Sequence, residues 1–141
     1  MKRIIKTSVT IILALLFILS LASCNTVDKE GLWENAEYRR DMEFGEGATT
    51  VTVEVSAGEQ KVTFTLHTDK TVLSEALLEH ELIKAEDGPY GLYVTHVNGI
   101  LASDDDRAYW ALYIDGEYGL TGVSTTPITE GTVYKLAYET Y

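Results

Sequence analysis

Asp104, Asp105 and Asp106 stand side by side just ahead of Tyr109 and Trp110. Three carboxylates can attract a hard cation. Calcium loops, however, need oxygen ligands at spaced positions, a glycine turn and a distant glutamate. Adjacent acids do not supply that spacing, and the run reads as a solvated turn. His67, His80 and His96 match no compact zinc motif. Ser74, Ser103 and Ser124 lie in no nucleophile-elbow sequence, and no glycine-rich phosphate loop occurs. These residues predict no catalytic activity, no resident metal and no certain cofactor.

Aromatic residues carry more information. Eight of the nine tyrosines follow Pro89. Tyrosine combines a broad apolar face with a polar tip, and a sheet bearing several can hold a flat, partly polar ligand or a protein partner. In "YWALYI" Trp110, Leu112 and Ile114 alternate with Tyr109, Ala111 and Tyr113. Period two places the tryptophan side inward and turns Tyr109 and Tyr113 outward. The following "DGEYGLTGVS" is punctuated by glycine, and such loops often carry binding. The candidate contact residues are therefore Tyr109, Tyr113 and Tyr118 for stacking. The backbone of Gly119, Leu120, Thr121, Gly122 and Val123, with the Thr121 hydroxyl, would supply hydrogen bonds.

The elements that must position these residues follow from the hydrophobic pattern. "TVTVEVS" and "KVTFTLHT" alternate strictly and are joined by "AGEQ", which predicts a hairpin. "TDKTVLSEALLEHEL" carries an apolar stripe of Val72, Leu73, Ala76, Leu77 and Leu78, predicting a helix capped by Thr71 or Asp69. The helix should stop before "EDGPYG". Strands follow at about Leu92–Val97, at "YWALYI" and at "EGTVYKLAYETY", with tight turns at Asn98–Gly99 and Asp115–Gly116. The order β-β-α-β-β-β predicts an α+β fold. It is a single β-grasp, ubiquitin-like domain over 50–141 whose mixed sheet is covered by one helix. Its first and last strands would be central and parallel.

Upstream, residues 24–49 are polar, charged and glycine-interrupted, and read as a partly structured tether. Residues 1–23 have a basic start, the apolar run "VTIILALLFILSLAS" and small residues at its end, which is the pattern of a secretory signal. The run is shorter than the roughly 20 apolar residues that a spanning helix needs. Three of the 11 basic residues lie in this leader and all 22 acids lie after Cys24, so the processed chain carries 8 bases against 22 acids, a formal charge of −14. That balance argues against nucleic acid as a partner.

Two resemblances add to this reading. "LASC", Leu21 to Cys24, resembles the bacterial lipobox. It implies cleavage before Cys24, a diacylglyceryl group on that thiol, and a chain anchored through membrane lipid at the extracytoplasmic face. Further on, "TDKTVLSEAL", "YGLYVTHVNGI", "YWALYIDGEYGLTGVS" and "ITEGTVYKLAY" resemble the DUF4430, transcobalamin C-terminal-like, family. That resemblance implies a β-grasp fold on a surface lipoprotein. It makes cobalamin, or another corrinoid, the leading ligand for the tyrosine and glycine residues above. Adhesion or docking to a surface protein, without a small molecule, is the alternative. Thr132 stands where many members carry an acid after the last turn glycine.

Overall fold

The computed structural model describes residues 31–141. Residues 1–23, Cys24 and the first part of the expected tether lie outside them. The chain begins with a 3-10 turn, Gly31–Asn35. It continues through β1 (Met42–Phe44), β2 (Thr49–Ala57), β3 (Gln60–Thr68), α1 (Leu73–Glu79), β4 (Ile83–Gly88), β5 (Gly91–Val97), β6 (Ile100–Leu101), β7 (Ala108–Ile114), β8 (Glu117–Tyr118) and β9 (Val133–Thr140). The fold is a mixed α+β arrangement with one α-helix among the described residues.

Alternating valines drive the β2–β3 hairpin. Val51, Val53 and Val55 face Leu66, Phe64 and Val62 across it, and all six are buried. β2 runs parallel to β9, with Val53 beside Tyr134 and Val55 beside Leu136. β2 and β9 are therefore the central pair of a six-stranded sheet ordered β1-β3-β2-β9-β7-β8. α1 contributes Leu73, Ala76 and Leu77, all fully buried, to the same core. Burial of each leucine contributes roughly 1.5–3 kcal/mol. Leu78, counted in the apolar stripe, is instead 43% exposed.

Three expectations need correction. A second sheet, β4-β5-β6, stands beside the first, because "IKAEDG" pairs with β5 across the Gly88–Gly91 turn and is not a mere helix stop. The expected side-chain cap of α1 is absent. Its N-cap is Val72, without a side-chain hydrogen bond, and distant carbonyls satisfy the helix: Leu73 N donates to Thr126 O at 2.9 Å and Ser74 N to Val123 O at 3.0 Å. Free N–H groups of a first turn need some such acceptor.

The third correction concerns residues 31–49, assigned to the tether. Trp33 is buried and donates Nε1–H to Ala57 O at 2.9 Å. β1 joins β3 in parallel register, Phe44 beside Leu66. Tyr38, Phe44 and Phe64 meet edge to face, with centroids 5.3 to 5.8 Å apart. Asn98 completes the attachment: its Oδ1 accepts from Tyr38 N at 2.9 Å, and its Nδ2 donates to Tyr38 O at 2.7 Å. The packed unit thus starts well before Thr50.

Candidate functional site

β8 covers only one end of the outer edge of β7. Ala108 N donates outward to Ser103 O, and Leu112 O accepts from Gly119 N at 2.8 Å. β8 pairs with β7 only at Tyr113–Tyr118 and Ile114–Glu117. Beyond Gly119 the chain leaves the ladder. It bends toward α1, where Val123 is buried and its carbonyl caps the helix. Local bonds hold this path: Thr126 Oγ1 donates to Gly122 O at 2.9 Å and meets Thr121 Oγ1 at 3.1 Å. The approach is close, since a Cβ at Gly119 would lie 3.1 Å from Leu112 O.

The space left behind is a groove of about 380 Å³. β5 forms one wall with Leu92, Tyr93 and Val94. β7 forms the floor with Tyr109, Trp110, Ala111 and Leu112, and residues Tyr118–Val123 form the lip. Trp110 packs edge to face on Tyr138 at 5.6 Å and donates Nε1–H to Ile100 O at 3.3 Å. Its indole is therefore fixed in place. Leu120 at the lip is 96% exposed and Tyr118 is 54% exposed.

Of the expected contact residues, Tyr109, Tyr118, Gly119, Leu120, Thr121, Gly122 and Val123 all line the groove. Their roles are less uniform than expected. The Gly119 amide and the Gly122 and Val123 carbonyls are engaged within the protein. The Thr121 hydroxyl meets Thr126. Tyr113 does not line the groove: its ring meets the Tyr118 ring edge to face at 5.5 Å and lies beside Lys135, whose Nζ is 5.5 Å from the ring centroid. The rings of Tyr109, Tyr113 and Tyr118 share one face of the sheet, opposite to that of Trp110 and Leu112. Trp110, expected only in the core, lines the groove as well. The β5 wall had no signal in the alternation of "YWALYI", because its proximity to β7 is a tertiary contact.

On that other face, Glu139 accepts from Tyr109 OH at 2.9 Å and from Tyr113 OH at 2.5 Å. The two phenols arc over Ala111 and Ala137, which face each other across β7 and β9 and are buried. The Glu139 carboxylate, followed by the Tyr118 hydroxyl, pushes the Tyr109 phenol above its usual range. Glu139 raises Tyr113 likewise. A carboxylate acceptor favours the protonated phenol because it bonds that form.

Asp104–Asp106 sit in an exposed turn, where Ser103 Oγ donates to Asp106 Oδ2 at 2.7 Å. His67 bridges Thr50 Oγ1, at 3.0 Å from Nδ1, and Glu43, at 2.6 Å from Nε2. His80 stacks on Phe44 at 5.6 Å. No cluster of three or more His, Cys, Asp or Glu side chains suited to a metal ion occurs among the described residues.

Comparison with known proteins places this geometry in context. The domain of unknown function DUF4430 matches residues 69–140. A crystal structure of a Ruminococcus gnavus protein, provisionally named as metal binding, is similar at 31% identity and a TM-score of 0.64. The likeness covers 66% of this chain and 98% of that one. Haptocorrin in complex with Cbi shares the fold at 24% identity and a TM-score of 0.52, over 70% of this chain and 27% of haptocorrin. This chain thus corresponds to about a quarter of haptocorrin's length. No protein of curated function matches it.

Proposed function

The chain belongs to the DUF4430 family, and on that premise we propose that it is a small-ligand-binding domain, tethered by a lipid at the extracytoplasmic face of a bacterial membrane. The observation that carries the binding role is the groove itself, an open, preformed cleft floored by the fixed Trp110 indole. Concave, mostly apolar sites with a few polar groups are the usual form of small-ligand sites. The central parallel β2–β9 pair, with the one helix lying between these two strands in the sequence, supports the β-grasp reading.

Cys24 supports the anchor. It is the chain's single cysteine and directly follows "LAS" at the end of the apolar run. Two acyl chains on one residue satisfy the two-signal requirement for stable attachment. The ligand proposed is a corrinoid, cobalamin first, in keeping with the family resemblance and with the haptocorrin likeness. We propose no enzymatic activity for this domain.

Titration of a chain starting at Gly31 with cyanocobalamin tests this. Tryptophan emission, which Trp33 and Trp110 share, should be partly quenched, and the thermal midpoint should rise by mass action. No change at high micromolar corrinoid would remove the corrinoid from the proposal. A second reading draws on Leu120 and Tyr90, 96% and 98% exposed: a surface protein docks on this rim. Capture of such a partner, lost on Tyr118→Ala and indifferent to corrinoid, would favour it.

A further inference from the structure

Residues alternate along β7 in the direction of their backbone groups, as in any strand. Arg107, next before the strand, accepts through its carbonyl from Tyr141 N, and Asp115, next after it, donates to Val133 O. Odd-numbered residues therefore bond toward β9. Even-numbered ones point to the opposite edge, as Ala108 N and Leu112 O do in bonding to Ser103 and Gly119. Trp110 lies between them. Its N–H and C=O form the next rung after Leu112–Gly119, and β8 has left the ladder before reaching it.

Trp110 lines the groove, and β8 does not extend to its rung. Proteins ordinarily blunt a strand edge with charge, proline or a covering segment. Here the sequence along the edge is "AYWAL", with neither charge nor proline. Among the described residues, no acidic or basic side chain lines the groove. An ionised ligand group seated there would lose water without gaining a counter-charge. A neutral group carrying both a donor and an acceptor would instead complete the rung.

We propose that the ligand class this groove selects is amide-bearing, and that a ligand amide pairs with the Trp110 N–H and C=O as an added strand would. The inference rests on the groove being the binding site. The amide can come from the main chain of a short extended peptide or from a carboxamide arm of a small molecule.

The experiment follows hydrogen exchange of individual amides by NMR in the chain from Gly31. Its two probes are cyanocobalamin and an end-blocked neutral valine tripeptide. Binding is read separately, by tryptophan emission and thermal midpoint. With a bound probe, exchange at Trp110 N–H should slow by about tenfold or more, while Gly119 N–H, already bonded, changes little. Protection by one probe alone identifies the source of the amide. Binding without protection of Trp110 overturns this inference and leaves the groove reading standing. If neither probe binds, the groove reading falls, and this inference with it.

Discussion

The Val123 carbonyl accepts the Ser74 amide at 3.0 Å, and together with the Leu73–Thr126 bond it ties the first turn of α1 to the segment that follows β8. The helix gains the acceptor that its own sequence does not place. The groove opens because the segment is drawn away from β7. Removing the Thr126 hydroxyl should loosen this arrangement, since Thr126 is buried and its Oγ1 holds Gly122 O. Thr126→Val should cost about 0.5–1.5 kcal/mol, read from the urea midpoint. It should also weaken any ligand held at the lip.

The strap over residues 31–44 is an integral part of the fold. Trp33→Ala should cost roughly 3–5 kcal/mol, the usual loss for a large buried aromatic. Asn98→Ala should cost about 1–3 kcal/mol by leaving the Tyr38 amide and carbonyl unpaired. Asn98 also sits at φ 52, a backbone region that alanine adopts less readily than asparagine. Chemical denaturation measures both, and a chain starting at Thr50 should be less stable than one starting at Gly31.

The Tyr109 and Tyr113 phenols ionise above their usual value of 10 in the folded chain. A group with a raised folded pKa contributes stability that is complete below its unfolded value and is lost as the pH climbs through the folded one. Stability should therefore fall on going from about pH 9 to about pH 11, as the unfolded chain's tyrosines ionise first. Glu139→Gln removes the first cause of both shifts. Phenolate absorbance should then appear at lower pH, and the alkaline loss of stability should become shallower.

Anchoring through Cys24 has its own test. The chain should incorporate labelled fatty acid, and Cys24→Ser should abolish that incorporation. Undiminished labelling of that variant, or no labelling of the parent chain, would contradict the lipid anchor.

Much of this architecture was legible locally. The β2–β3 alternation, the inward Trp110 and the Asn98–Gly99 and Asp115–Gly116 turns each follow from a few adjacent residues. Both turns take positive φ at each position, 52 and 77, then 49 and 86, as tight hairpins between twisted strands require. What was hidden depends on distant partners. β4 carries charges and no clear alternation, and pairs only because β5 returns beside it. The α1 cap comes from residues about fifty positions downstream. Seven of the eight expected contact residues line the groove, but the rings of Tyr109 and Tyr118 lie with that of Tyr113 on the other face, because outward direction from a sheet does not tell which face holds the cleft. Leu92, Tyr93 and Val94 had no local signal because they come from the second sheet.

The central claim is that ligand enters between β5, β7 and the Tyr118–Val123 lip. Amide chemical-shift mapping during a cyanocobalamin titration tests it most directly. The account predicts shifts concentrated at Leu92–Val94, Trp110 and Gly119–Val123, with Tyr113, Lys135 and Glu54 unmoved. Shifts centred on Tyr113 and Lys135, with the groove residues silent, would contradict it.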